Sequence, residues 1–175
     1  MITRIKDHEK WMKLAFREAE KAFKQDEVPV GAVVVQNRQI IGRGYNQCES
    51  LNDPTAHAEI IAITSASNTI KNWRLMDCSL YVTKEPCPMC AGALLHSRVK
   101  RVVYGAPDLK AGAAGTVLNL FESQAAYHYA TVENGLLEEE CRSQLQAFFK
   151  RRRKEIKAKK QAQKALENEQ ENKDK

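Results

Sequence analysis

Apolar positions near the start of the chain recur at helical spacing. Met12, Ala15, Phe16, Ala19, Ala22 and Phe23 step by three and four residues, which predicts a helix over 7–25 with Asp7 as its cap and one buried face. Pro29 ends it. The pattern then changes to β-branched runs. Residues 30–35 and 39–45 predict two strands, joined at Gln36-Asn37-Arg38 by a hairpin turn, because Asn tolerates positive φ. Residues 46–54 read as a polar loop. Asp53-Pro54 reads as the cap and first position of a helix over 55–69. Residues 80–83 predict a strand, and Pro86 and Pro88 open a helix that reaches His96. Residues 99–104 predict another strand, 105–115 a Gly/Ala loop, 118–121 a short helical turn and 129–132 a fifth strand. Gly135 opens the last helix, in which Leu136, Leu137, Cys141, Leu145, Phe148 and Phe149 keep helical spacing.

A hairpin followed by alternating helices and strands is an α/β layout, with a mixed five-stranded sheet and helices on its faces. With 175 residues the chain makes one domain, expected over 1–160. Residues 161–175, rich in Gln, Glu, Asn and Lys without apolar spacing, are expected to form a disordered polar tail. No apolar run approaches the roughly 18 residues of a membrane span, and the charged start has no secretory core, so the expected compartment is the cytoplasm.

Charge changes the picture in one place. Residues 150–160 hold eight basic residues against one acidic one, or +7, and 161–175 carry −1, which together make the net +6. Residues 1–149 balance at seventeen of each sign. The domain is neutral and carries a cationic arm, which is either a solvated helix face or a contact for a polyanion.

Five cysteines, an odd number with no export signal, argue against a disulfide framework. Cys87 and Cys90 form a C-x-x-C pair, a pattern open to metal binding or redox chemistry. Together with His57 they offer one imidazole and two thiolates, which suit a tetrahedral zinc with its fourth position left to water. A closed structural site would need Cys78 as a fourth ligand. His57 in the first turns of one helix, and Cys87 and Cys90 at the start of another, sit where unpaired N–H groups and the helix dipole favour thiolate over thiol. Zinc lowers the pKa of a bound water from near 16 to about 7. Glu59, two residues beyond His57, need not bind the ion and can carry a proton from that water to a leaving nitrogen.

H-x-E followed by P-C-x-x-C is the signature of the zinc deaminases. The chain resembles the cytidine/deoxycytidylate deaminase superfamily and, within it, the bacterial-type tRNA-specific adenosine deaminases. The resemblance spans about residues 8–160. It is carried by the segments 27–33, 53–60 and 85–93, by Asn46, by Gly112-Ala113-Ala114-Gly115, and by Phe148-Phe149 before the basic run. It implies a three-layer α/β/α cytidine-deaminase-like fold and hydrolysis of adenosine to inosine at the wobble position of a tRNA anticodon. His57, Cys87 and Cys90 would hold one Zn2+ per subunit, and Glu59 would shuttle protons. Asn46 would contact the target nucleoside, and Pro29, Val30 and Ala58 would line the base pocket. Asp108, Lys110, His128, Phe149, Arg151, Arg152 and Arg153 would contact the anticodon stem-loop. The resemblance also implies a homodimer.

Lys84, Pro88 and Tyr127 depart from the family's usual residues, and none is a zinc ligand. Two other functions compete. One is a small-molecule deaminase acting on guanine, cytosine, cytidine or a nucleotide, which has no need of a cationic arm. The other is a non-catalytic zinc-stabilised RNA-binding module, which has no use for Glu59.

Overall fold

The computed structural model describes residues 2–124, 126 and 128–173, with the side chains of 2–6, 165, 166 and 168–173 left out. Five strands form one mixed sheet. They are β1 (Gly31–Gln36), β2 (Gln39–Tyr45), β3 (Ser79–Lys84), β4 (Arg101–Ala106) and β5 (Thr131–Glu133), in the order β2-β1-β3-β4-β5. β1 is antiparallel to β2 and β3, whereas β4 and β5 run parallel to β3. The β1–β2 turn places Asn37 and Arg38 both at positive φ, 48° and 62°, the backbone twist that a two-residue hairpin requires.

Helices α1 (Ile2–Lys24) and α5 (Glu138–Lys173) lie on one face of the sheet. α3 (Ala58–Ile70) and α4 (Pro88–His96) lie on the other, and α2 (Cys48–Leu51) is a single turn in the loop after β2. Period-2 alternation sorts the strands between these layers. Ala32, Val34, Leu80, Val82 and Val102 pack with Ala58, Ala62 and Ala66 of α3 and Ala91 and Leu94 of α4. Val33, Val35, Tyr81 and Val103 pack with Trp11, Met12 and Ala15 of α1. Each fully buried Val or Leu contributes about 1.5–3 kcal/mol. A Cβ on Gly42 or Gly44 would lie 2.3 Å from the carbonyl oxygens of Ala62 and Ala58, so α3 rests directly on the β2 backbone. This close contact fixes where α3 begins.

Several expected boundaries move. Asp7 lies inside α1 rather than capping it, and its carboxylate pairs with Arg38 across the hairpin at 3.1 Å. Asp53 does not cap α3. Its Oδ1 accepts from Thr55 N and Oγ1, both at 2.7 Å, in an Asx turn that delays the helix to Ala58. Residues 118–121 form no helical turn; Ala114 bridges Asn119, and Leu120 N donates to Ala113 O at 3.0 Å. Gly135 and Leu137 are left-handed at 82° and 56°, so α5 starts at Glu138. The segment 161–173, expected to be disordered, continues α5 as helix. Its Ala, Gln, Lys and Glu are strong helix formers that need no buried face, and Gln163 Nε2 donates to Glu167 Oε1 one turn on at 3.1 Å. No described helix is long and apolar enough to cross a membrane.

Candidate active site

β2 and β3 end at the same edge of the sheet, because Gly31 pairs with Tyr45 and Ala32 with Val82. α3 and α4 therefore start side by side. His57 is the N-cap of α3 and Cys87 the N-cap of α4, both extended, with Pro88 at the first position of α4. His57 Nδ1 lies 3.7 Å from Cys87 Sγ and 3.4 Å from Cys90 Sγ. All three ligand atoms fall within 4.8 Å of one another. Tetrahedral zinc, with bonds of about 2.0–2.3 Å, needs N and S donors about 3.6 Å apart. Cys78 is buried in the core and outside this group, so a closed four-ligand site finds no support.

The electrostatics fit a cation. The Cys90 thiol donates to Cys87 and, with His57, holds the Cys87 thiol down at about 3 despite its burial. Cys90 is pushed up by that same bond and by burial. His57 is raised, chiefly by its bond to Cys87. A dication would displace the protons these groups share. Glu59, in the first turn of α3, is 3% exposed. Burial raises its carboxyl above the usual range, and its Oε2 is buried without a hydrogen-bond partner. An unpartnered carboxyl oxygen beside three soft donors matches a site that takes a metal and a polar reactant.

Asn46 is buried just after β2. Its N–H donates to Val30 O at 3.1 Å, and its Oδ1 accepts from Ala58 N at 2.9 Å, so its Nδ2 remains as a donor. It lines a cleft of about 380 Å³ together with Val28, Cys48, His57, Phe149 and Arg153. Pro29, Val30 and Ala58 are buried and do not line this cleft, whereas Asp26, Glu27 and Val28 do. A larger depression of about 620 Å³ runs along the outer face of α3 past Thr55, Ile60, Ile61, Thr64 and Asn68, and holds none of the ligand residues.

The expected RNA contacts occupy different settings. Phe149 is 43% exposed at the rim and packs edge-on against Phe148 at 5.4 Å. Arg153 is exposed at the cleft mouth. Arg151 pairs with Asp26 at 2.6 Å and sits 4.6 Å over the Phe23 ring, while Arg152 pairs with Glu155 at 3.1 Å. Asp108 pairs with Lys84, and exposed Lys110 donates its N–H to Asp108 Oδ1 at 3.0 Å. His128 Nε2 lies 3.1 Å from Val99 O. Tyr127 lies outside the described residues.

Sequence reasoning gave Glu85 no role. It is fully buried and accepts backbone N–H bonds from Asp108 at 2.9 Å, Ala114 at 3.0 Å and Thr116 at 3.1 Å. It ties the loop after β4 to the residue before Pro86-Cys87. A Cβ on Gly112 would sit 2.3 Å from Glu85 Oε2, so only glycine fits there. A lone Glu beside a C-x-x-C carries no local signal of this long-range role.

Comparison with known proteins agrees with this geometry. The family model for MafB19-like deaminases matches residues 6–153. A tRNA-specific adenosine deaminase of Haemophilus influenzae is 49% identical over 159 residues, covering 90% of this chain and 92% of its own. A solved structure from a study of A-to-I editing by tRNA:A34 deaminases at the wobble position of transfer RNA superposes with a TM-score of 0.75. It is 42% identical and covers 77% of this chain and 97% of that one. A guanine deaminase from Nitrosomonas europaea superposes with a TM-score of 0.70 at 25% identity, covering 80% and 83%.

Proposed function

This chain belongs to the MafB19-like deaminases and, among them, to the tRNA-specific adenosine deaminase family, and from that premise we propose that it converts adenosine to inosine at the wobble position of a tRNA anticodon. The observation that carries this reading is the three-donor cluster beside a buried, unpartnered carboxyl, with His57 of that cluster lining a cleft that Phe149, Arg152 and Arg153 also line.

His57, Cys87 and Cys90 would hold one Zn2+ per subunit. When bound, the ion supplies Lewis acidity that makes water nucleophilic near neutral pH. The remaining chemistry belongs to the chain. Glu59 takes a proton from the attacking water as its oxygen adds to C6 of the purine, and passes it to the ring nitrogen. It then carries the second proton to the amino group, which leaves as ammonia. Adenosine and water thus become inosine and ammonia. A carboxyl raised by burial suits a group that must both accept and return a proton. Asn46 donates its Nδ2 to the target nucleoside while Ala58 holds the amide in place. The wall of the base pocket falls to Val28, backed by Pro29, Val30 and Ala58.

At the rim, Phe149 offers a stacking surface and Arg153 a phosphate contact, with Lys110 and Arg152 adding charge nearby. An anticodon loop is unpaired, so splaying one base into the cleft costs little. We assign Arg151, Asp108 and His128 to shaping this surface as well as to touching RNA. The outer face of α3, flanked by exposed Leu51, is the surface we assign to a homodimer. Five free cysteines suit the reducing cytoplasm.

The likeness to a guanine deaminase keeps a small-molecule reading in view. Zinc-loaded protein incubated with transcribed tRNA, free adenosine, cytidine and guanine, followed by nucleoside analysis, separates the two. Inosine at the wobble position alone supports tRNA editing. Conversion of guanine or cytidine with untouched tRNA overturns it.

A further inference from the structure

The basic run splits into two groups once it is folded. Arg151 and Arg152 pair with Asp26 and Glu155. Arg153, Lys157, Lys160 and Lys164 recur every three to four residues and line one shallow groove along α5, with Ile156 and Gln161 between them. None of these four cations pairs with a carboxylate among the described residues. The groove has a volume of about 430 Å³ and is continuous with the candidate active site, because Arg153 and Ile156 line both.

Resting on the function proposed above, we infer that this cationic face of α5 binds the phosphate backbone of the base-paired anticodon stem, beyond the loop that enters the cleft. Three observations point to paired RNA. The face begins at the cleft mouth, and at 1.5 Å per residue Lys164 lies about 17 Å further along the helix from Arg153. Phosphates at that distance belong to nucleotides well removed from the one in the cleft. The groove also contains no aromatic residue. Single-stranded nucleic acid is held by stacking bases on aromatic rings, which here are confined to the rim at Phe149, whereas duplex RNA is met through its backbone. Finally, these four cations have no carboxylate partner among the described residues and the groove is lined by no acidic residue, the complement of a polyanion.

The test uses the full chain and the triple variant K157A/K160A/K164A. Alanine favours helix, and the three sites are exposed, so the variant should fold as the wild type does. Binding is followed by fluorescence anisotropy between 50 and 200 mM KCl. One probe is a hairpin RNA carrying the anticodon loop on an intact stem, and the other is the same loop as a linear oligonucleotide. Three duplex phosphate contacts contribute about 2.7 to the slope of log K against log salt, so the wild type should lose about 40-fold more hairpin affinity than the variant over that range. Linear-loop binding should change less than twofold, and kcat on the hairpin should be retained at saturation. Equal losses for hairpin and linear RNA, or an unchanged hairpin salt slope, would overturn the inference. Unchanged hairpin binding with loss of polyglutamate binding would assign the face to an acidic protein segment and overturn it too. Binding alone decides this, so a wild type that binds the hairpin yet makes no inosine would refute the proposed function and leave the stem contact standing.

Discussion

Glu85→Gln isolates what a buried carboxylate does for the loop after β4. Glu85 Oε1 accepts from Ala114 N and Thr116 N, and Oε2 accepts from Asp108 N. Glutamine has almost the same shape but a single acceptor oxygen. That oxygen can serve Ala114 and Thr116, which leaves the amide NH2 facing the Asp108 N–H, donor against donor. One charge-assisted bond worth about 1.5–3 kcal/mol is lost, the other two weaken, and a partly buried N–H goes unpaired. The expected cost is about 2–4 kcal/mol. For a domain of this size it lowers Tm by roughly 5–15 °C. Thermal and urea unfolding of the zinc-loaded protein, monitored by circular dichroism, measure it, and an unchanged m-value would show that the denatured state is not the cause. The loop joins the main chain at Pro86, whose carbonyl accepts from Ala113 N at 2.9 Å, so zinc affinity should fall along with stability. A loss below about 1 kcal/mol would show that the three bonds do not hold the loop, and the reasoning would fail.

Glu59→Gln should keep its zinc but lose at least about 10²–10⁴-fold in kcat, because the proton carrier is gone while the ligands remain; metal analysis and inosine formation together check it, and near wild-type turnover would refute the mechanism. Chelation should abolish activity and lower Tm, and zinc at a thousandfold excess over Kd should restore about 4 kcal/mol of stability; a Tm indifferent to zinc would contradict the site. Burial pushes the thiols of Cys78 and Cys141 up to about 11 and about 12, from 9.0 when exposed. Their neutral forms therefore favour the folded state below pH 9, and that contribution is lost as pH rises toward 11–12. Cys141→Ala should flatten the alkaline decline seen in denaturation at stepped pH, and an identical decline would sink that account. Arg151→Ala should cost about 1 kcal/mol through Asp26 and the Phe23 ring, and should weaken RNA binding less than Arg153→Ala; the reverse order would make Arg151 the main RNA contact of the two and refute the ranking.

The elements and the candidate site residues were largely legible before folding, because both rest on short-range order. Helical periodicity exposed the buried face of α1, β-branched runs marked the first strands, and an H-x-E followed by P-C-x-x-C singled out His57, Cys87 and Cys90, which the fold brings together, and Glu59, which it buries in the first turn of α3. Helix starts were less legible. Asp53 has the composition of a cap, yet Thr55 captures its carboxylate, and the contact of α3 with Gly42 and Gly44 decides where the helix sits. A bond between Asn46 and Ala58, a Glu85 that holds residues more than twenty positions away, and the division of the basic run into paired and unpaired cations are all long-range facts. Residue type and spacing determine which groups are available for catalysis and binding. Only the sheet, by placing the starts of α3 and α4 at one edge and bringing α5 back across the cleft, decides which of them meet, since hydrogen bonds and ion pairs depend on distances that local sequence does not encode.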